Sequence, residues 1–349
     1  MIGVDEKEAG SARAGLPVAG AVSEFVAALL GGSARDPGFS PQEASDVVRH
    51  LSEEAAGPLA DDDLQLALYL CYELHYRSFA GVDPDWEWNP ALLAVRAVLE
   101  EAFLDALDDA VGGAPVDPDE VGDLLFRLEE GDDGVSLSRR LEREAGVDEF
   151  REFVVHRSLY QLKEADPHSW AIPRLAGPPK TALLEVQGDE YGGGRPERMH
   201  SVLFAKTMGA LGLADRENAY LALVPGPTLA TVNLMSAFGL HRSRRGAIVG
   251  HLAMFEMTSA RPNRRYGNAL RRLGFGLEAT DFYDEHVEAD AVHENIAAYD
   301  LAGGLARAEP ELAEDIVFGA RALLHLEDRF ARHLLGAWEE GETSLRQPL

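Results

Sequence analysis

His286-Val287-Glu288-Ala289-Asp290-Ala291-Val292-His293 is the segment from which the rest of the chain is best read. An α-helix turns by ~100° per residue, so a step of four adds a net ~40° and a step of seven returns to within ~20°. In helical conformation His286, Asp290 and His293 therefore share one narrow stripe. Two imidazoles and a carboxylate on one stripe make a mixed nitrogen and oxygen surface suited to Fe, Mn or Zn. The competing reading is a polar face close to solvent, because Asp284, Glu285, Glu288 and Glu294 are near neighbours in the sequence.

Working outward, helical punctuation is frequent and strand punctuation rare. Ser40-Pro41-Gln42-Glu43 reads as a capping box with proline at the first helical position. Asn89-Pro90 opens a second helix through Leu93, Val95, Val98 and Leu99, which Gly112-Gly113-Ala114-Pro115 ends. Asp61 to Phe79 carries apolar residues at helical spacing. Further helices are expected at 118–130, 136–145, 147–164, 180–191, 196–212, 227–239, 243–260, 263–273, 278–297 and 310–338. Runs of alternating β-branched residues are missing, and Leu221–Val224 and Ile248-Val249 are too short to count. The expected fold class is all-α, with a helical N-terminal region over 1–146 and a helical core over 147–349.

Composition narrows the function. The 349 residues carry 60 Asp plus Glu against 32 Lys plus Arg, a net charge of -28. Such a surface repels nucleic-acid phosphates and anionic lipids, so neither nucleic acid nor a membrane is an expected partner. Acidity attracts cations everywhere, so only the placement of carboxylates argues for a metal. The single cysteine, Cys71, excludes a disulfide framework and any thiolate-rich zinc or iron–sulfur site. Early acids (Asp5, Glu6, Glu8) argue against a secretory signal, and no run approaches the ~20 apolar residues that span a bilayer. A cytoplasmic location is the expectation.

Two further stretches bear on the metal reading. Glu197-Arg198-Met199-His200 has the Glu-x-x-His spacing that sets a carboxylate beside an imidazole in four-helix di-iron carboxylate proteins. Glu190 precedes Glu197 by seven residues, so a continuous helix would align them. Gly192-Gly193-Gly194 interrupts, and glycine costs about 1 kcal/mol relative to alanine inside a helix. The segment is either a helix with a reason for its glycines or a loop. Glu164 lies in Gln161-Leu-Lys-Glu-Ala-Asp-Pro-His168, where a glutamate at a helix end is usually solvated.

Taken together these residues resemble the haem-oxygenase-like di-iron oxidase and oxygenase superfamily, the iron-containing redox enzymes. The resemblance covers roughly residues 150–335. It implies one Glu from a first core helix (Glu164), a Glu and a His ten residues apart from a second (Glu190, His200), and His-x3-Asp-x2-His from a third (His286, Asp290, His293). Glu197 matches an additional carboxylate of members likened to N-oxygenases. The implied fold is a haem-oxygenase-like helical bundle with an additional helical N-terminal region, accessory or dimerising. The implied cofactor is two iron ions per chain cycling between Fe(II) and Fe(III), with Mn as a substitute. The implied activity is O2-dependent oxidation of a small amino- or fatty-acid-like molecule by N-oxygenation, desaturation or C–C cleavage, with an external electron donor and a homodimer left open. Asp281, Asp284 and Glu288 are candidates to orient the imidazoles. Met199, Leu203, Phe204, Phe282, Val287 and Val292 would keep water away.

Other polar residues read as structural. Glu73 and His75 project ~200° apart on a helix and do not suit one ion. Arg242, Arg244 and Arg245, with Arg261, Arg264, Arg265, Arg271 and Arg272, could hold a substrate carboxylate or recruit an acidic partner; ion pairing on a solvated helix face is the plainer reading. Two other functions compete: a cofactor-free or haem-binding enzyme of the same architecture, and a non-catalytic helical binding protein.

Overall fold

The structure, a computed structural model, describes residues 15–52, 57–131 and 134–349; within 288–292 it describes the backbone and not the side chains. Among the described residues there is no strand. The helices are α1 (Ala21–Leu30), α2 (Pro41–Ser52), α3 (Asp62–Glu73), α4 (Pro90–Val111), α5 (Val121–Glu130), α6 (Leu137–Arg143), α7 (Val147–Gln161) and α8 (Asp166–Ser169), followed by α9 (Gly177–Glu190), α10 (His200–Ala210), α11 (Gly226–Leu240), α12 (Arg245–Arg272), α13 (Leu277–Asn295), α14 (Gly303–Ala308) and α15 (Ala313–Glu339). None of them is long and apolar enough to cross a membrane.

Local chemistry sets most of the boundaries. Ser40 and Glu43 close the expected capping box, with Glu43 Oε2 accepting from Ser40 N at 2.8 Å and Ser40 Oγ from Glu43 N at 3.3 Å. Asp61 caps α3 through Leu64 N at 2.8 Å, and Asn89 caps α4 through Ala91 N at 2.9 Å. Three boundaries differ from the sequence expectation. Helix α12 runs unbroken through Pro262. Proline removes one intrahelical bond, but buried Met257, Asn263, Gly267 and Leu270 flank it and hold the helix against the core. After α13 the chain continues as a π-helical turn over Ile296–Ala302 and enters α14 through Gly303-Gly304, where a break was expected. Helix α1, not foreseen, is capped from far away: Asp63 accepts from Val22 N at 2.8 Å and Ser23 N at 2.7 Å.

Packing centres on α12 and α15, with α13 and α6 against α12, α3 against α11, and α10 against α13. The α12–α15 crossing is unusually close. A Cβ on Gly250 would stand 1.7 Å from the Ile316 carbonyl oxygen, and one on Gly319 would stand 2.0 Å from that of Ala247. Only glycine permits backbones to meet like this. One hydrophobic cluster joins Val26, Leu68, Trp86 and Phe103 of the N-terminal helices to Phe238, Leu252 and Leu326. A second gathers Phe150, Phe153, Phe204, Phe282 and Phe330. Cys71 is a buried core thiol.

His156 of α7 is buried between Thr228 Oγ1 at 2.6 Å and Ser344 Oγ at 3.0 Å, tying α11 and the C-terminal segment together. Burial, helped by the nearby His333 charge, holds its pKa well below the usual histidine value. A depressed folded pKa means that the native state stays neutral while the unfolded chain takes a proton below about pH 6.5. The stability contribution is thus complete above about 6.5 and lost as pH falls. In urea titrations between about pH 6 and 5, His156→Leu should show a pH slope shallower than the parent by about 1.4 kcal/mol per unit. An unchanged slope would mean that the imidazole is not held neutral.

Candidate metal centre

Helix α7 ends at Gln161, and Glu164 follows in the turn before α8, where Ala165 takes a left-handed φ of 73°. Such a φ is uncommon for a residue with a Cβ and marks a conformation imposed by its surroundings. Glu190 closes α9, and His200 opens α10. The nine residues between them are not one helix: the chain makes two 3-10 turns, Gly192–Gly194 and Pro196–Arg198, and Met199 is extended at φ -55°, ψ 133°. Gly192 has φ +76°, and a Cβ there would meet Met199 N at 2.8 Å, so the glycines serve a tight fold-back. The fold-back brings Glu190 and His200 together, with Oε2 and Nδ1 2.8 Å apart.

His286 and His293 both lie on α13 and are buried. Nδ1 of His286 donates to the Phe282 carbonyl at 2.8 Å, which directs the Nε2 lone pair toward Glu164 Oε1, 3.5 Å away. His293 is oriented the other way round. Its Nε2 donates to Asp189 at 3.0 Å, and its Nδ1 stands 3.3 Å from Oε2 of Glu256. The imidazoles are thus oriented by the Phe282 carbonyl and Asp189. Of the acids expected in this role, Asp284 instead pairs with Arg271, Asp281 is exposed, and the side chain of Glu288 lies outside the described residues.

Two sets of buried donors result. Glu164, Glu190, His200 and His286 present one ligand atom each within 4.8 Å of one another, and Glu190, Glu256 and His293 do the same. Glu190 belongs to both. Glu256, from the middle of α12, was not anticipated. It stands alone in Ala253-Met254-Phe255-Glu256-Met257, and a carboxylate inside an apolar run has to find a partner when buried. That was the available signal. The side chain of Asp290 lies outside the described residues; its backbone is within α13. Glu197 does not join the cluster. The extended Met199 breaks the Glu-x-x-His register, and the Glu197 side chain is exposed on its own turn. Leu203, Phe204 and Phe282 are buried beside the donors as expected, and Met199 and Val287 are half-buried; the side chain of Val292 is not described.

The donor set fits a pair of cations. Glu164 Oε2, Glu190 Oε2, His200 Nδ1 and His293 Nδ1 are buried yet make no hydrogen bond, although His200 and Glu190 nearly touch. Neighbouring donors whose lone pairs miss one another are arranged as ligands are around an ion. Burial raises the carboxyl pKa values of Glu164, Glu190 and Glu256 against the pull of the nearby imidazoles, and the Glu190 charge adds to the effect at Glu164 and Glu256, as Asp189 does at Glu190. Burial and the adjacent His286 push His200 down to about 4. Burial also works against the charged form of His293, but Glu256 outweighs it and brings this group up to about 9. Three carboxylates removed from water are costly unless a positive charge sits among them.

Glu164 and His286 also line a cavity of about 740 Å³, whose wall includes Phe153, Phe204, Tyr266, Phe282, Tyr283 and Phe330. Tyr191, which follows Glu190, donates to Asp166 at 2.8 Å. Glu73 and His75 are structural, as read from the sequence: Glu73 is paired with buried Lys163, and His75 lies between Glu87 and Arg96.

Residues 151–328 match the sequence profile of a family described as iron-containing redox enzymes. Nitrosourea synthase of Streptomyces achromogenes subsp. streptozoticus is 27% identical over 252 residues, 71% of this chain and 49% of that protein. The chain therefore spans about half the length of this curated relative. A crystal structure of a CADD-like protein of unknown function from Nostoc punctiforme PCC 73102 is 15% identical, with a TM-score of 0.49 over 63% of this chain and 97% of that one.

Proposed function

This chain belongs to the iron-containing redox enzyme family, and from that premise we propose that it is a non-haem di-iron oxygenase acting on a small organic substrate. The observation that carries the reading is the sharing of Glu190 by two sets of buried donors. Glu164, Glu190, His200 and His286 would hold one iron, and Glu190, Glu256 and His293 the other. Asp290, on the same helix as His286 and His293, is proposed to complete the second set. The four carboxylates then offset the charge of two ferrous ions. Glu197 stays outside this set.

Two ferrous ions held there would supply electrons and open coordination positions for activating dioxygen. The remaining work belongs to the chain. The Phe282 carbonyl and Asp189 fix which nitrogen of His286 and of His293 faces inward. Phe204, Phe282 and Tyr283 keep bulk water from the reacting centre. The cavity admits the substrate against Glu164 and His286. The likeness to a protein named nitrosourea synthase favours a nitrogen atom as the position oxidised.

Loading the metal-free protein with Fe(II) under anaerobic conditions should give about two irons per chain, and admitting O2 should produce a transient visible absorbance. His286→Ala should lower the iron count and abolish the transient. Full iron loading with an unchanged transient in that variant would exclude the assignment, and a Soret band in the purified protein would favour a haem enzyme instead.

A further inference from the structure

Apart from Arg242, the arginines that stand out in the sequence separate into two groups in the structure, and Arg139 joins the second. Arg244, Arg245 and Arg271 pair with Asp315, Glu309 and Asp284, and Arg272 donates to the Leu141, Glu142 and Ala145 carbonyls. Arg139, Arg261, Arg264 and Arg265 line the cavity that reaches Glu164 and His286, and among the described residues none of the four has a carboxylate partner. In a chain of net charge -28, four such guanidiniums on one cavity need a reason.

Arg265 is the one built into the wall. It is half-buried, and its Nη1 donates to Ser138 Oγ at 3.1 Å and Ser136 Oγ at 3.3 Å. Two hydroxyls fix the plane of the guanidinium without neutralising it. Burial and the neighbouring charges of Arg139, Arg261 and Arg143 depress its pKa, against the opposing pull of Glu142. Glu142 is itself engaged by Asn268 at 2.9 Å. Of the acids on the same cavity, Glu327 is held in a two-point pair by Arg157 at 2.8 and 2.6 Å, and Asp328 accepts from Arg332 at 2.7 Å. Glu129 and Glu294 also face it. Two polar atoms on the wall, Gln161 Oε1 and the Tyr283 hydroxyl, are buried and make no hydrogen bond.

We propose that Arg265, oriented by Ser136 and Ser138 and flanked by Arg139 and Arg261, is the anchor for an anionic head group of the substrate. The rest of the molecule passes Gln161 and Tyr283 toward Glu164 and His286. A planar guanidinium with its donors fixed matches a carboxylate or phosphate through two parallel hydrogen bonds. Its place on a cavity that leads inward to Glu164 and His286 favours a small ligand over the surface of an acidic protein. The proposal rests on the cavity being the substrate's, as argued above.

The test compares octanoate, octyl phosphate, octanol and octylamine by calorimetric titration, in metal-free protein and in protein loaded with Fe(II) without oxygen. Octanoate or octyl phosphate should bind in both forms, their relative affinity separating a carboxylate site from a phosphate site, and the alcohol and amine should bind at least about tenfold more weakly. Arg265→Gln should raise the Kd of the anion by about tenfold or more, the worth of one charged hydrogen bond. Arg271→Gln, whose arginine is paired outside the cavity, should leave it within about twofold of the parent, inside the spread of surface substitutions. Equal binding of octylamine, no binding of either anion, or an unaltered Kd in Arg265→Gln would each overturn the proposal. Because the titrations include metal-free protein, their outcome is independent of whether iron loads.

Discussion

Replacing Glu190 with alanine is expected to remove both irons, taking the content from about two per chain to well under one. Replacing Glu164 should remove only the iron of its own set. The asymmetry follows from membership: Glu190 stands in both groups of donors and Glu164 in one. Asp189→Asn, which changes the partner of His293 and removes a charge beside Glu190, should weaken iron binding by about 10- to 100-fold without changing the final count at saturating iron. Misfolding would give a different pattern. In the metal-free protein the Glu190 charge works against the charged forms of Glu164 and Glu256, and its own burial outweighs the attraction of His286 and His293. Removing it should therefore leave the metal-free thermal midpoint at or above that of the parent. Retention of one tightly held iron in Glu190→Ala would show that the carboxylate is not shared.

Breaking the Lys163–Glu73 pair is expected to give the largest loss of stability. Both side chains are buried. The Lys163 ammonium lies 4.7 Å and 4.6 Å from the ring centres of Tyr69 and Tyr76, and Asn218 donates to the other oxygen of Glu73 at 3.3 Å. Glu73→Gln leaves a buried cation without its paired carboxylate, beside the Tyr69 and Tyr76 rings, at a cost of about 3–5 kcal/mol in urea unfolding. Adding Lys163→Met should recover most of that loss, because it removes the stranded charge. Lys163 immediately precedes Glu164, so the single variant should also load the Glu164 set poorly. A loss under about 1 kcal/mol would mean that water reaches the pair and that it behaves as a surface bridge.

The helices were legible where the information is local. Ser40 with Glu43, Asp61 and Asn89 each cap a helix within four residues of themselves, and the stripe of His286 and His293 needs only the helical period. Legibility failed where distant chain supplies the missing group. Asp63 caps α1 across 41 residues, and packing carries α12 through Pro262. The same division holds in the site. Periodicity could not see that Met199 turns away from helix, so it aligned Glu197 with His200 when the fold separates them. It also could not choose Glu256, whose only mark is an isolated charge among large apolar neighbours.

The glycine contact between α12 and α15 bears on all of this. Gly250 sits six residues before Glu256 on one unbroken helix, with its backbone touching that of Ile316. Nothing compressible separates the two helices there, so the crossing acts as a fixed pivot against which the height of the Glu256 carboxylate is set. A methyl group inserted at that pivot would tilt α12 like a lever and move an oxygen of the proposed metal site from a point well outside it.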